Sequence, residues 1–272
     1  MYNEKCEVIE NKSVAPRHFV LKFRSKKIAK SVKPGQFVQI LCGENSFDPF
    51  LARPFSYLSA RGPEFSVLYH VVGKGTELMS KLKKGNRVAV LGPLGNGFTM
   101  SSELGVRSSE IKILVGGGVG IPPLYHFAET ELISKITKKE NIYVFLGARN
   151  KSLLLCEKEF KRLGVNLSVA TDDGSKGPKG FVTALLASFL RTPNSELRTS
   201  IFACGPTPML KAVSNIASEF GVTCEVSVEV PMACGFGACL GCAIKVKTDA
   251  NYRFAIACVE GPVFEGSKII WE

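Results

Sequence analysis

The chain is 272 residues long, 45% hydrophobic and 22% charged, an ordinary globular balance with enough length for two domains and a substantial core, which excludes a disordered chain. Its formal charge of +11 invites nucleic acid, but the basic stretch Lys22, Arg24, Lys26, Lys27, Lys30 and Lys33 is interleaved with Phe23, Ile28 and Val32 and has no aromatic stacking platform. We therefore expect no nucleic-acid partner, and the same basic field suits dinucleotide phosphates or an acidic protein.

The opening MYNEKCEVIENK is charged and lacks the apolar core of an export signal. Four short segments then read as strands: HFVLKF (18–23), QFVQIL (36–41), FSVLYHVV (65–72) and RVAVLG (87–92). Lys33-Pro34-Gly35 and Lys83-Lys84-Gly85-Asn86 supply turns between them. This spacing predicts a small antiparallel barrel or sandwich over residues 1–102. A polar stretch, SSELGVRSSE (101–110), marks a boundary. Beyond it, apolar runs at IKILVGG (111–117), NIYVFLGA (141–148), VNLSVATDD (165–173) and SIFACGP (200–206) alternate with helical patterns over 124–136, 153–163, 182–190 and 208–219. That alternation predicts a parallel α/β sheet over residues 103–224, with ligands at the carboxyl ends of its strands. The remainder, 225–272, is cysteine-rich and too short for an ordinary domain. Apolar tracts such as Phe181 to Leu190, broken by Thr183 and Ser188, fall well short of the roughly 20 residues that cross a bilayer. A cytoplasmic protein with no membrane span is expected.

Nine cysteines in that compartment do not make a disulfide framework, and the odd number leaves one unpaired. Cys234, Cys239, Cys242 and Cys258 form C-x4-C-x2-C with a fourth candidate ligand fifteen intervening residues on. The first spacing is the plant-type [2Fe–2S] pattern, and Gly235, Gly237 and Gly241 permit tight dihedrals and expose amides to the sulfurs. A structural zinc site is the alternative, since Cys239-x2-Cys242 would suit it, although zinc sites more often come as two separated pairs. A thioredoxin-like pair is disfavoured, because it does not open a helix after a strand. Cys6, Cys42, Cys156, Cys204 and Cys224 read as small buried hydrophobes.

A one-electron centre needs something that supplies or takes electrons, and three motifs offer cofactor sites. In Arg53-Pro54-Phe55-Ser56 an arginine can pair with a pyrophosphate, an aromatic can lie against a flavin ring and a hydroxyl can bond a ring nitrogen; a proline turn with a surface arginine reads the same way. Gly73-Lys74-Gly75-Thr76 can offer amides to phosphate or be a plain hairpin turn. Gly116-Gly117-Gly118-Val119-Gly120-Ile121-Pro122-Pro123 lies between a buried-type strand and a helix, where glycines let a pyrophosphate approach the helix N-terminus. It is not G-x-G-x-x-G, and a tight strand-to-helix turn with prolines in the first helical turn is its other reading. No Ser/His/Asp or paired-carboxylate constellation is apparent.

Taken in order, PGQFV (34–38), RPFS, VVGKGT (71–76), GPLGNGF (92–98), GGGVGIPPL (116–124), ACGP (203–206), the cysteine loop and CVEGPVF (258–264) resemble the electron-transfer subunits of B-type, NAD-dependent dihydroorotate dehydrogenase, in the ferredoxin reductase superfamily. The resemblance covers the whole chain. It implies a multidomain β plus α/β fold: a flavin-binding Greek-key β-barrel, a nucleotide-binding α/β domain and a C-terminal [2Fe–2S] domain. By position, it implies that Arg53, Pro54, Phe55 and Ser56 bind the flavin of FAD, with Phe55 standing where the wider superfamily often has tyrosine and so lacking a hydroxyl. His70, Val71 and Val72 would line the flavin, and Gly75 with Thr76 would hold its pyrophosphate. Gly116, Gly118 and Gly120 would meet NAD, with Cys204 beside the nicotinamide. Arg149 could take a 2′-phosphate, but the resemblance implies NAD. The four cysteines of the C-x4-C-x2-C set would hold the cluster. The implied partner is an FMN-containing, dihydroorotate-oxidising catalytic subunit, two of each in a heterotetramer, acting in pyrimidine biosynthesis. The flavin subunit of a sulfide dehydrogenase or NADPH:ferredoxin oxidoreductase shares the plan and ranks second; a zinc-containing nucleotide-binding regulator is a distant third.

Overall fold

The computed structural model describes residues 1–42, 48–104, 110–192 and 198–271. Six antiparallel strands, β1 (Tyr2–Ala15), β2 (His18–Arg24), β3 (Phe37–Ile40), β4 (Arg53–Arg61), β5 (Glu64–His70) and β6 (Arg87–Leu94), close into a barrel in the order β1-β2-β5-β4-β3-β6. β6 seals it by pairing with both β3 and β1. β2, β3, β5 and β6 fall on the segments whose alternation predicts them, whereas β1 and β4 carry no such signal. In β1 only Cys6 and Val8 are buried hydrophobes, and charged neighbours hide the period. β4 opens on Arg53-Pro54, which reads as a turn; near the start of a strand, however, a proline costs the ladder little.

The barrel interior is filled by Leu21, Phe23, Val38, Ile40, Tyr57 and Phe65 among others, each burial contributing about 1.5–3 kcal/mol before entropy is counted. α1 (Lys26–Ser31) drives Ile28 into this core and is capped by Ser25, whose hydroxyl accepts the Ile28 amide at 3.2 Å. α2 (Lys74–Ser80) follows β5 closely. α3 (Ser101–Leu104) opens the polar boundary stretch, whose residues 105–109 lie outside the described residues.

The second half is a six-stranded sheet in the order Val263–Glu265, Thr223–Ser227, Thr199–Cys204, Ile111–Gly117, Ile142–Ala148, Asn166–Thr171. Five parallel strands, β7 (Ile111–Gly117), β8 (Ile142–Ala148), β9 (Asn166–Thr171), β10 (Thr199–Cys204) and β11 (Thr223–Ser227), alternate with α4 (Ile121–Ser134), α5 (Glu157–Leu163), α6 (Val182–Arg191) and α7 (Thr207–Glu219). β7 is buried along its whole length, which is why its run is apolar apart from Lys112, whose buried Nζ pairs with Glu110 at 3.4 Å. One face packs on α4 and α5 through Leu114, Leu146, Phe127 and Phe160, and this core continues into the barrel at Leu58 and Leu68. The other face packs on α6 and α7 through Ile113, Val115, Leu186 and Val213.

The cysteine-rich tail forms an irregular loop, a hairpin of β12 (Ala243–Lys247) and β13 (Tyr252–Ile256), and β14 (Val263–Glu265). β14 joins the nucleotide sheet antiparallel to β11, with Val226 opposite Phe264. The tail is thus stitched into the sheet and also leans on the barrel. Among the described residues no helix is long and apolar enough to cross a membrane.

Candidate functional site

The cysteine loop gets its shape from backbone that few residues tolerate. Gly235 and Gly237 sit at φ +80° and +88°, the region where a Cβ is costly. Gly241 does not share this conformation; Leu240 takes the left-handed turn instead, at φ +57°. The turns aim amides at the sulfurs. Gly237 N–H donates to Cys258 Sγ at 3.1 Å, Cys258 N–H to Cys242 Sγ at 3.4 Å and Cys239 N–H to Cys234 Sγ at 3.5 Å. Burial alone would raise the Cys234 thiol, but the amides of Phe236, Cys239 and Ala238, with the Cys239 side chain, outweigh it and bring the thiol down to about 6. Burial, then the neighbouring Cys242 thiol, pushes Cys258 up to about 12.

These four side chains come together as two thiol pairs, Cys234 with Cys239 and Cys242 with Cys258. Among the described residues no three histidine, cysteine or carboxylate side chains are grouped to hold a single metal ion. Two thiol pairs ringed by amide donors fit a two-iron cluster, whose sulfurs need such donors, better than one tetrahedral ion. Cys242 and Cys258 are buried, Cys239 is exposed, and the apolar side chains of Phe236, Leu240 and Val259 stand in solvent beside the loop. The other five cysteines are all buried, as expected.

The loop is held against the barrel by segments that the sequence presents as separate motifs. Asn96 of GPLGNGF donates through Nδ2 to the carbonyls of Val259 and Glu260, both at 3.0 Å. Phe98 N–H reaches Pro34 O of PGQFV at 2.9 Å. A Cβ on Gly95 would lie 2.6 Å from Gly261 O, and one on Gly97 2.3 Å from Pro34 O, so only glycine lets these chains approach. Phe37 packs against Leu94, Cys242, Ala257 and Cys258.

RPFS occupies the start of β4, paired residue for residue with β3: Arg53 with Ile40, Pro54 with Gln39, Phe55 with Val38, Ser56 with Phe37. Strand alternation sends Phe55 toward the barrel core, edge-on to Tyr69 with ring centroids 5.9 Å apart, and leaves Pro54 and Ser56 on the opposite, outer face. Arg53 Nη1 is held by Leu51 O at 2.7 Å. At the end of β5, His70 stacks on His18 with centroids 4.3 Å apart and rings nearly parallel. Burial, then His18 and Arg17, keeps the His70 imidazole below its ordinary value. Val71 is buried, whereas Val72 is exposed. Thr76 Oγ1 accepts the amides of Val72 and Gly73 at 2.9 and 3.2 Å, fixing the turn into α2 rather than a hairpin. A Cβ on Gly75 would lie 3.1 Å from Cys42 Sγ.

Gly116, next to the end of β7, lies beside Cys204, its register partner on β10. Gly118 turns at φ +54° with open space where a side chain would go, and Gly118–Gly120 form a 3-10 turn into α4. A Cβ on Gly120 would lie 2.5 Å from the Cys204 carbonyl carbon and the Gly205 nitrogen. Burial pushes the Cys204 thiol up to about 12, so it stays protonated and offers no nucleophile. Arg149 is exposed just past β8. The sequence reading passed over Gln39, a buried side chain between RPFS and the cysteine loop; the polar break in the otherwise apolar FVQIL was the available signal.

Family models match two segments: the iron-sulfur cluster binding domain of dihydroorotate dehydrogenase B over residues 229–270, and an oxidoreductase NAD-binding domain over residues 114–215. The chain is 40% identical to the dihydroorotate dehydrogenase B (NAD(+)) electron transfer subunit of Desulforamulus reducens, over 95% of each chain. It is 36% identical to the namesake of Caldanaerobacter subterraneus over 98% of each. Among solved structures, a chain of the NADH-dependent reduced ferredoxin-NADP oxidoreductase superposes with a TM-score of 0.82 at 32% identity, covering 98% of this chain and 90% of that one. The cytochrome b5 reductase domain of Ulva prolifera nitrate reductase shares the fold, with a TM-score of 0.64 at 19% identity over 81% of this chain and 93% of that one.

Proposed function

This chain belongs to the electron-transfer subunits of NAD-linked dihydroorotate dehydrogenase B, and from that premise we propose that it relays electrons from a dihydroorotate-oxidising catalytic subunit to NAD+. When bound, the [2Fe–2S] cluster supplies one-electron transfer, and FAD supplies the conversion of single electrons into a hydride for NAD+.

The chain's own contribution is to hold and orient these groups. Cys234, Cys239, Cys242 and Cys258 ligate the cluster, and the amides of Gly237, Cys239 and Cys258 stabilise its sulfurs. Arg53 and Ser56 bind the flavin nucleotide, His70, Val71 and Val72 line it, and Gly75 with Thr76 receives its pyrophosphate. Gly116, Gly118 and Gly120 admit the NAD pyrophosphate at the start of α4, with Cys204 a neutral wall beside the nicotinamide. The exposed apolar rim of Phe236, Leu240 and Val259 suits docking of the catalytic subunit, which on this reading carries FMN and assembles as two of each subunit.

The observation that carries the reading is the seating of a four-thiol loop on the outer face of β3 and β6, with β3 paired residue for residue to RPFS. Dihydroorotate loses two electrons and two protons to become orotate, and NAD+ takes two electrons and one proton. The partner releases the remaining proton.

The full-length likeness to a ferredoxin-NADP oxidoreductase chain favours one second reading, a flavin subunit that exchanges electrons with ferredoxin. One experiment separates the two. The chain is purified anaerobically with its native partner and assayed for dihydroorotate-dependent NAD+ reduction and for reduced-ferredoxin-dependent NADP+ reduction. Activity in the first assay only, with about two irons per FAD, is the expected result. Activity in the second only, or zinc without iron, overturns the proposal.

A further inference from the structure

Gln39 is the buried polar side chain with the least explanation inside the protein. The residue is 2% exposed, and among the described residues neither Nε2 nor Oε1 has a hydrogen-bond partner. Buried amides without partners are rare, because desolvation is not repaid. Its neighbours on β3, Val38 and Ile40, point into the barrel core. Gln39 therefore shares the outer face with Phe37, which packs on Cys242 and Cys258.

The cysteine loop approaches this carboxamide at Gly235. A Cβ built on Gly235, the residue after Cys234, would fall 2.7 Å from Gln39 Cγ and Nε2 and 3.1 Å from Cδ. On the other side, Gln39 pairs across the ladder with Pro54 of RPFS. One side chain thus touches the cysteine loop and borders the proposed flavin strand, with its amide nitrogen turned toward the loop.

The geometry points to Gln39 as a cofactor-contacting residue, its Nε2–H donating a hydrogen bond to the sulfur of the bound cluster from the flavin side. This rests on the cluster reading above. A donor to cluster sulfur stabilises the more negative, reduced form and raises the reduction potential. Gln39 then holds the cluster end of the relay high enough to accept electrons, and fixes the loop's position against the flavin strand.

The chain contains two glutamines, Gln36 and Gln39, and Gln36 Nε2 is already bonded to Gly95 O at 2.7 Å. This makes isotope labelling specific. Holoprotein carrying glutamine labelled with 15N at the side-chain amide is reduced, and the cluster spin is examined by pulsed electron paramagnetic resonance. A 15N hyperfine coupling in wild type that disappears in Gln39→Met is the expected result. In a redox titration the same variant should lower the cluster's reduction equilibrium by about tenfold, 59 mV for a one-electron couple, with the flavin midpoint unmoved. A [2Fe–2S] signal without 15N coupling in wild type overturns the inference however the variant behaves, as does an unshifted cluster or a shifted flavin alone. Absence of any cluster signal in wild type overturns the cluster reading itself.

Discussion

Ser59 on β4 donates its hydroxyl to Glu129 on α4 at 2.6 Å, across the line where the barrel meets the nucleotide sheet. Glu129 is 3% exposed and also receives Arg61 and the Tyr125 hydroxyl. One carboxylate therefore ties the strand that begins with RPFS to the helix that GGGVGIPP opens. Glu129→Ala would leave two hydroxyls and a guanidinium without their acceptor, and we expect a loss of about 1–3 kcal/mol in urea unfolding. Glu129→Gln keeps the shape and two acceptor lone pairs, and should lose less. Equal midpoints for wild type and Glu129→Ala would show that the seam does not depend on this group.

His126, on the buried side of α4, predicts a pH dependence. Burial pushes its imidazole down to about 4, against an ordinary 6.5, although Glu129 pulls the other way. As pH falls from 6.5 toward 4, the unfolded chain takes up a proton that the folded chain refuses, so the folded state loses stability over that window and keeps it above. By about pH 5 the loss amounts to about 2 kcal/mol. Urea midpoints for wild type and His126→Leu at about pH 7.5 and pH 5 measure it: the variant should show the smaller acid shift by that amount.

Cys242→Ser removes a buried sulfur that accepts the Cys258 amide. Partner-linked electron transfer should fall to background, while NADH oxidation by an artificial acceptor at the flavin persists. Partner-linked turnover at the wild-type rate would show that electrons bypass the cluster.

Gly120→Ala tests the dinucleotide turn. Its Cβ would collide with backbone atoms of Cys204 and Gly205 at 2.5 Å, and neither chain can move without displacing the end of β7 or β10. NADH oxidation should drop by on the order of tenfold to a hundredfold, as small misplacements at a reacting site do, with flavin content retained. An unchanged kcat/KM would place the nicotinamide elsewhere.

The α/β half was legible because its central strand β7 is buried throughout and its longer helices show their period. β7 is apolar but for the buried Lys112, and the four major helices stand within a few residues of where periodicity puts them. The barrel was half legible. β4 hides behind a proline and a functional motif, and β1 behind charged residues on its wet face. The candidate cluster site was legible as spacing but not as architecture. Asn96 and Val259 are 163 residues apart, and nothing local announces that GPLGNGF, PGQFV and CVEGPVF are three sides of one seam. Nor does spacing reveal that Leu240, not Gly241, makes the left-handed turn. Gln39 carries no decisive local signal because a single polar residue in a strand looks solvent-exposed until the loop that covers its face is known.

The antiparallel pairing of β14 with β11 means that the metal-binding lobe is not a cassette. A chain cut after Ser227 would lose the strand that covers β11 and expose a row of unpaired amides and carbonyls beside a hydrophobic sheet, an invitation to self-association. Grafting this lobe onto another reductase would require a sheet margin of matching length and a recipient surface shaped like Gly95 and Gly97. Gain or loss of the lobe therefore has to be accompanied by a redesigned sheet border, and a donor for transplantation is better chosen by its edge strand than by its cysteines.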